Sequence, residues 1–254
     1  MTPDSFHADS RVEGIENAVE KATSMFEEGA EWIDIGGEST RPGAVEVSQE
    51  EEARRVIPII EAVRDELPEA GISIDSRREY VARMALDAGA DMVNDVSSLG
   101  DSRMADLIVE AECPICLMHM KGLPSNMQEN PTYGDVLEEV RNGLISTSRR
   151  LIERGVEPSN VIVDPGIGFG KLLEHNISLL SSGRSVVPSD EMSLMWGVSR
   201  KSMFKQMLGR DLSEDRLAGT LGVAAMAKDK GVDIIRVHDV REHSDLFSVM
   251  DGIG

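Results

Sequence analysis

Side chains that can bind or activate a ligand recur directly after short apolar runs of this sequence. These positions are residues 36–41, Asp75, Asn94, His119, Asp164, residues 197–201 and residues 236–239. A single polar residue at such a position is commonly a helix cap or a turn. Seven apolar runs that all end in this way predict one shared site, because parallel α/β proteins place their sites at the carboxyl ends of the strands.

The charges of these residues suggest what the site binds. Asp75, Asn94 and Asp164 offer carboxylates and an amide, which suit a polar ring that carries N–H donors. The cations that could instead bind an anion are Arg41, Lys201, Arg236 and His238. We therefore predict carboxylates at the bottom of a cavity and cations at its rim, around a ligand with a donor-rich ring and a phosphate tail.

The glycine-rich segment 164–171 and the histidines give weaker signals. The spacing before Lys171 differs from that of a phosphate-binding loop, and Leu172 stands where Ser or Thr would be needed. A loop that lets its backbone and Phe169 approach a ligand is the better interpretation. His119 fits a core residue as well as a site residue. The other histidines with a prediction, at surface or capping positions, are His7, His175 and His243.

Short apolar strands alternate with longer helical patterns. The predicted strands are 32–36, 71–75, 91–95, 114–119, 160–164, 193–198 and 233–238. The predicted helices are 11–28, 48–67, 77–88, 102–111, 134–154, 173–182, 213–230 and 240–250. Such alternation predicts a parallel sheet covered by helices. The pattern does not separate a barrel from a doubly wound open sheet, and the first helix has no strand before it.

Composition limits the classes of partner. The chain has 254 residues, which suits one (β/α)₈ barrel, and a formal net charge of −20. This negative field repels nucleic acid and anionic lipid, so we expect neither as a partner. The acidity is typical of a well-solvated surface, as in proteins adapted to high salt.

The two cysteines and the lack of long apolar runs predict a cytoplasmic protein. Cys113 and Cys116 fall in or beside one predicted strand, where three-residue spacing directs them to opposite faces, so we expect buried thiols rather than a redox pair. No signal peptide opens the chain, and no apolar run approaches the roughly 18 residues that span a bilayer.

Taken in order, the motifs resemble the dihydropteroate synthase family over nearly the whole chain. The matching segments are residues 2–6, 34–43, 74–76, 93–96, 118–124, 164–171, 199–201 and 236–239. The resemblance implies a single pterin-binding TIM (β/α)₈ barrel over residues 1–254, with seven recognisable strands and eight helices. It also implies alkyl transfer from a dihydropterin methyl pyrophosphate to p-aminobenzoate, with Mg²⁺ and a homodimer.

The resemblance further implies roles for individual residues. Asp75, Asn94 and Asp164 match the family's pterin-binding positions, and Lys201 matches its lysine on the pterin ring. Arg236 and His238 match the pyrophosphate site, which Arg41 joins from a loop. The remaining substrate-binding matches are Thr40, Pro42, Phe169, Ser199, Phe6 and Met118. We predict that catalysis depends on Asp75, Asp164, Lys201 and Arg236.

One feature departs from the family pattern. Family members carry a strand that ends in a metal-binding asparagine ahead of the segment that here begins at Thr2, and Met1 stands where the residue after that asparagine belongs. The family's metal ligand would thus lie before Met1. We therefore expect a misassigned start or a truncated chain, with no metal ligand within it, weak Mg²⁺ binding and low activity.

Three other functions fit parts of the pattern. A pterin-binding methyltransferase would share the barrel and the carboxylates, but it would not need residues 39–43 or 199–201. A Schiff-base aldolase would use Lys201. A non-catalytic pterin-binding protein would not need the four cations.

Overall fold

The computed structural model describes residues 11–39, 45–122 and 126–253, in which parallel strands alternate with helices. The strands are β1 (Trp32–Gly36), β2 (Gly71–Asp75), β3 (Met92–Asp95), β4 (Ile115–Met118), β5 (Val161–Asp164), β6 (Ser193–Trp196) and β7 (Ile234–Ile235). The helices are α1 (Arg11–Glu27), α2 (Gln49–Glu66), α3 (Glu79–Asp87), α4 (Met104–Ala111), α5 (Val136–Ile152), α6 (Leu173–Ser182), α7 (Met203–Leu208), α8 (Leu217–Ala224) and α9 (Val240–Ile253). Within these ranges no helix is long and apolar enough to cross a bilayer.

The order of the strands identifies a barrel-type sheet. Neighbours in the sheet follow the chain from β1 to β7, and every pair is parallel. A doubly wound sheet would reverse its strand order at a switch point, and this sheet does not. In the described chain, β1 pairs only with β2 and β7 only with β6, yet Arg236 after β7 contacts Asp34 in β1. The sheet therefore curls until its two ends face each other, as the barrel prediction requires.

Alternate residues of the strands belong to two different apolar layers. Ile33, Ile35, Ile72 and Ile74 are buried in the large core between sheet and helices. A smaller cluster inside the curl holds Met92, Cys116, Ile162 and Met195. Parallel strands covered on both faces need apolar residues on both. The inner face also carries polar residues, among them Asp34, Asp75 and Asn94, which can form a site.

Local capping accounts for the starts of some of the predicted helices. The Ser48 hydroxyl accepts a hydrogen bond from the Glu51 N–H at 3.2 Å, which confirms the predicted start of α2. His175 Nδ1 accepts from the Leu172 N–H at 3.1 Å, which confirms its capping role. His243 differs from its prediction because it is buried rather than at the surface, and its Nδ1 donates to the Asp239 carbonyl oxygen at 2.6 Å.

The cysteine prediction is confirmed. Cys113 is buried in the outer core, whereas Cys116 is buried in the inner cluster, and both are free thiols. Burial raises the pKa of Cys113 to about 11 and that of Cys116 well above its ordinary value, so both remain unreactive thiols.

The C-terminal third differs most from its prediction. The expected helix 213–230 is divided into a 3₁₀ turn at Glu214–Arg216, α8, and a second 3₁₀ turn at Lys228–Lys230. The short helix α7 was not predicted, and it ends at Gly209, whose φ of 67° closes it in the left-handed conformation. The expected strand 233–238 is reduced to β7, although the Arg236 N–H still donates to the Trp196 carbonyl oxygen of β6 at 3.0 Å.

Candidate active site

A partly buried ion-pair network joins the two ends of the curled sheet. Arg236 Nε donates to Asp34 Oδ2 at 2.7 Å, and its Nη2 donates to Asp75 Oδ2 at 2.8 Å. Asn94 Nδ2 lies 3.4 Å from Asp34 Oδ1. Arg236 thus points inward to the carboxylates. The prediction placed the cations at the rim of the site, apart from the acids at its bottom, and for Arg236 this separation is wrong. Two neighbouring acids that lose water need a cation between them.

The acids of this network differ in their protonation. Burial raises the pKa of Asp75 to about 7 despite Arg236, and the nearby charge of Asp34 adds to the increase. For Asp34, burial acts in the same direction, but Arg236 outweighs it and lowers the pKa below its usual value. The charges of Asp34 and Asp75 in turn raise the pKa of Arg236. Asp75 is therefore the carboxyl that can gain or lose a proton near neutral pH.

Asp164 and Lys201 form the other half of the site. Asp164 Oδ1 accepts from the Gly166 N–H at 2.7 Å, while Lys201 Nζ donates to the Ile167 carbonyl oxygen and lies 4.3 Å from the centre of the Phe169 ring. Burial raises the pKa of Asp164 despite the charge of Lys201. Burial lowers the pKa of Lys201 to about 8, and Asp164 opposes that decrease.

Gly197 lies between the two halves. A Cβ at this position would be 3.6 Å from Asp164 Oδ2 and 3.9 Å from Arg236 Cβ. The Asp164 and Arg236 side chains therefore flank the same glycine. The structure brings five predicted residues into one group at the carboxyl ends of the strands, namely Asp75, Asn94, Asp164, Lys201 and Arg236.

The glycine-rich loop after β5 is held in a defined shape. Gly166, Gly168 and Gly170 all have positive φ values, which only glycine adopts without strain. The Gly168 N–H donates to Asn176 Oδ1 at 2.8 Å, and the Tyr133 hydroxyl donates to the Gly170 carbonyl oxygen at 2.9 Å. The loop is thus a fixed support for Phe169 and for the Ile167 carbonyl that binds Lys201.

Ser199 and His238 form a contact beside this group. Ser199 Oγ lies 2.7 Å from His238 Nδ1, and the His238 N–H donates to the same hydroxyl at 3.2 Å. Arg200 adopts a φ of 55° and pairs with Asp239. This left-handed conformation lowers the stability of the folded chain by about 1 kcal/mol. Arg200 stands between two predicted site residues, Ser199 and Lys201.

One further predicted residue is buried beside the group, and five lie outside the described residues. Met118 is buried on the inner face of β4, in register with Asp164. The predicted residues that fall outside the described ranges are Phe6, His7, Thr40, Arg41 and Pro42. Met1, before which the family's metal-binding asparagine would stand, also lies outside these ranges, so the expected absence of that ligand stays a prediction.

The sequence reasoning missed Asp34. It stands at the centre of the apolar strand Trp32–Gly36, between the buried residues Ile33 and Ile35. The available signal was a charged residue at the middle of an apolar strand. Asp34 stands two residues before Gly36, so it shares a face of the sheet with the polar strand end.

Fold and site together define an α/β-barrel enzyme that binds a polar ligand at the carboxyl ends of its strands. The family described as "Pterin binding enzyme" matches residues 1–238. The dihydropteroate synthase of Escherichia coli is 43% identical over 251 residues, which cover 99% of this chain and 88% of that protein. The enzyme of the same name from Synechocystis is 41% identical over 255 residues, covering 99% of this chain and 87% of that protein.

Solved structures agree with these sequence matches. The Yersinia pestis dihydropteroate synthase with a sulfonamide drug superposes with a TM-score of 0.91 at 37% identity, covering 99% of this chain and 90% of that one. The Xanthomonas albilineans enzyme with 4-aminobenzoic acid gives a TM-score of 0.90 at 36% identity, covering 99% and 89%. The chain belongs to the pterin-binding enzymes and, among them, to the dihydropteroate synthases. It is accordingly a transferase of folate biosynthesis.

Proposed function

We propose that the residues around Gly197 perform the synthase reaction of this family. The dihydropterin methylene of 6-hydroxymethyl-7,8-dihydropterin pyrophosphate is transferred to p-aminobenzoate, which releases pyrophosphate and forms 7,8-dihydropteroate. The observation that carries this assignment is the grouping of three carboxylates, an amide and two cations on the inner face of the barrel. A solved Xanthomonas albilineans relative is in complex with 7,8-dihydropteroate.

The pterin ring is assigned to the interior of this group. Asp75, Asp164 and Asn94 supply acceptors for the ring N–H groups, and Lys201 supplies a donor to a ring acceptor. Asp164 already accepts one backbone N–H, so its second oxygen, beside Gly197, is the one that faces the ligand. Because these groups are fixed before the ligand arrives, little ordering cost remains at binding.

The pyrophosphate is assigned to Arg236 and His238, with Arg41 as a further cation. Arg236 donates from Nε and Nη2 to Asp34 and Asp75, so its Nη1 group is the donor that we assign to a phosphate oxygen. The C–O bond to the pyrophosphate breaks as negative charge builds on the leaving oxygen, and the two arginines stabilise that charge. Burial and the charge of Arg236 lower the pKa of His238 to about 4, so at neutral pH its imidazole is neutral and contributes a hydrogen bond rather than a charge. The overall field of the chain is negative, so anion binding depends on such a local cluster.

The amine substrate is assigned to Ser199, Phe169 and Met118, with Phe6, Thr40 and Pro42 as further contacts. The neutral aniline nitrogen attacks the pterin methylene, the new C–N bond forms, and the nitrogen then loses a proton. This substitution needs no covalent intermediate with the protein. It needs alignment of the two substrates and exclusion of water.

We propose that Mg²⁺ binds to the pyrophosphate of the substrate rather than to side chains of the described residues. In the described ranges no three His, Cys, Asp or Glu side chains form a group that could hold a metal. Asp34 and Asp75, the acids nearest the proposed anion site, are paired with Arg236. The described residues do not form a metal site of their own. Mg²⁺ commonly binds through substrate phosphates, and it would reach the protein in that way.

We also propose a homodimer formed through the surface of α7–α9. The eight residues of α8 include no charged side chain, and only Thr220 and Ala224 are buried. Large exposed apolar residues accompany it, namely Met207, Leu208, Leu212, Met226, Val249 and Ile253. An uncharged helix that is exposed at Ala218 and Gly222 and is flanked by these apolar residues suits a second copy of the same surface.

A cytoplasmic location is the last part of the proposal. It is supported by two buried free thiols, which are typical of proteins in reducing compartments, and by the small phosphorylated substrate.

Pyrophosphate release tests the proposed reaction. Purified protein with the pterin pyrophosphate, p-aminobenzoate and Mg²⁺ should release pyrophosphate and form dihydropteroate. Lys201→Ala and Asp164→Ala should each lower kcat/KM by about 100-fold or more, because each removes a charged contact to the pterin. Lys228→Met, which removes only an exposed ion pair with Asp251, is the matched control and should leave the rate unchanged.

Three outcomes would contradict the proposal. Near-normal turnover in both site variants would refute the assignment of the pterin site. Pterin binding without pyrophosphate release by the wild-type protein would favour a non-catalytic pterin-binding protein. Unchanged activity after removal of Mg²⁺ by a chelator would refute the proposed use of the ion.

A further inference from the structure

Lys171 is a buried basic residue to which the proposed reaction assigns no role. Only 4% of its surface is exposed, and in the described part of the chain no carboxylate lies within ion-pair distance of its Nζ. Burying a lysine without an acid partner is costly, so its polar head must make other contacts that repay the loss of water.

Those contacts join two different segments at the carboxyl end of the sheet. Lys171 Nζ donates to the His119 carbonyl oxygen at 3.1 Å and to the Phe169 carbonyl oxygen at 2.9 Å. It also lies 3.3 Å from His119 Nδ1. His119 follows β4, whereas Phe169 belongs to the glycine-rich loop after β5. A single side chain therefore fastens this loop to the end of the neighbouring strand.

The two segments are packed so closely at this point that the glycines are required. A Cβ on Gly166 would lie 1.9 Å from the His119 carbonyl oxygen and 3.3 Å from Lys171 Nζ. A Cβ on Gly170 would lie 2.5 Å from the Lys121 carbonyl oxygen. The carbonyl groups of both segments are thus brought together, and Lys171 supplies the donors between them.

The fastened loop carries the atoms that orient the pterin-binding half of the site. The Gly166 N–H binds Asp164, the Ile167 carbonyl oxygen accepts from Lys201, and the Phe169 ring lies below the same ammonium group. A shift of the loop would move all three contacts at once. Arg236 and His238 make none of their described hydrogen bonds to this loop.

We propose that Lys171 is a positioning residue for the pterin, which it serves by fixing the glycine-rich loop against His119 so that Asp164 and Lys201 keep their binding geometry. This inference rests on the proposed assignment of Asp164 and Lys201 to the pterin. Lys171 itself does not contact the substrate.

The fastening depends on N–H donors rather than on positive charge. Burial lowers the pKa of Lys171 to about 7 and that of His119 to about 3, so at neutral pH the imidazole is neutral and the lysine is partly deprotonated. A neutral amine still has two N–H groups for the two carbonyl oxygens. An uncharged side chain that ends in an NH₂ group, such as that of glutamine, which is one atom shorter, should therefore replace it in part.

Paired substitutions of similar length test this inference. Lys171→Met removes the donors and Lys171→Gln retains two, while Lys228→Met is the surface control. Isothermal titration calorimetry would measure binding of the pterin pyrophosphate without amine, and separately of pyrophosphate alone. We expect Lys171→Met to weaken pterin binding about tenfold or more, as for lost buried hydrogen bonds, and to leave pyrophosphate binding within about twofold. Lys171→Gln should stay within about threefold of wild type for both ligands.

Each other outcome is decisive. Wild-type pterin binding by Lys171→Met, or equal weakening of both ligands, would overturn the inference, because the second result indicates a general structural defect. If Lys171→Met does not fold, Lys171→Gln decides alone: loss of binding for both ligands in that variant would also overturn the inference. Failure of the wild-type protein to bind the pterin pyrophosphate would instead contradict the proposed function.

Discussion

At the scale of single residues, each half of the site holds one group whose pKa is shifted toward neutral pH, an acid whose pKa is raised and a base whose pKa is lowered. Asp75 has a pKa raised to about 7 and Lys201 a pKa lowered to about 8, in both cases chiefly through burial. In the proposed roles Asp75 accepts hydrogen bonds as a carboxylate and Lys201 donates them as an ammonium group. Both groups have the required charge only within a narrow range of pH.

The pH dependence of kcat/KM for the pterin substrate should therefore be bell-shaped. It should fall as the pH decreases through about 7, because Asp75 gains a proton, and as the pH increases through about 8, because Lys201 loses one. Lys201→Arg, which stays charged, should move the upper limb to higher pH while lowering the maximum. Steady-state rates across mildly acidic to mildly alkaline pH would measure both limbs, and a flat profile over that range would contradict the assignment.

At the scale of elements, the alternation of strands and helices and the polar strand ends could be predicted from sequence. Each depends on a periodicity or on a motif of a few adjacent residues. The pairing of Asp34 with Arg236 could not be predicted, because it joins residues 202 positions apart through the curl of the sheet. The division of residues 213–230 was also missed, because α8 is apolar on nearly all sides and so gives no clear helical period.

The glycine-rich loop is the element in which a single methyl group should matter most. Gly166→Ala adds a Cβ that would lie 1.9 Å from the His119 carbonyl oxygen, in addition to the strain of a positive φ. Gly155→Ala carries the strain alone, because none of the residues that the structure describes, its two chain neighbours apart, lies within 4 Å of its Cβ. We expect Gly155→Ala to lower the free energy of unfolding by about 1–2 kcal/mol and Gly166→Ala by roughly 4 kcal/mol or more. Urea unfolding followed by circular dichroism would measure both, and equal losses would contradict the proposed close contact.

At the scale of the whole molecule, the described surface suggests how one copy of the protein would associate with another. The apolar surface around α8 lies in a chain whose net charge of −20 would otherwise keep copies apart. A dimer therefore requires an interface where charge is absent, and the uncharged α8 provides such a surface.

A charge placed on α8 should separate the dimer. Gly222→Glu introduces a side chain at an exposed position where, apart from its own helix, none of the described residues lies within 4 Å of the new Cβ, so that the charge chiefly disturbs a partner. Gly14→Glu on α1 has the same open surroundings and serves as the control. Analytical ultracentrifugation should find a dimer for the wild type and the control but a monomer for Gly222→Glu. A wild-type monomer, or a Gly222→Glu dimer of undiminished affinity, would contradict the proposed interface.

The shortness of β7 has a consequence for how the site loses its order. This two-residue strand is only half-buried and pairs within the described chain with β6 alone, while Arg236 and His238 follow it directly. Amide protons of this segment should exchange with solvent through small local openings, long before the β2–β5 core does. Arg236 and His238 would then lose and regain their positions together, and a bound anion would slow the amide exchange by holding the segment closed.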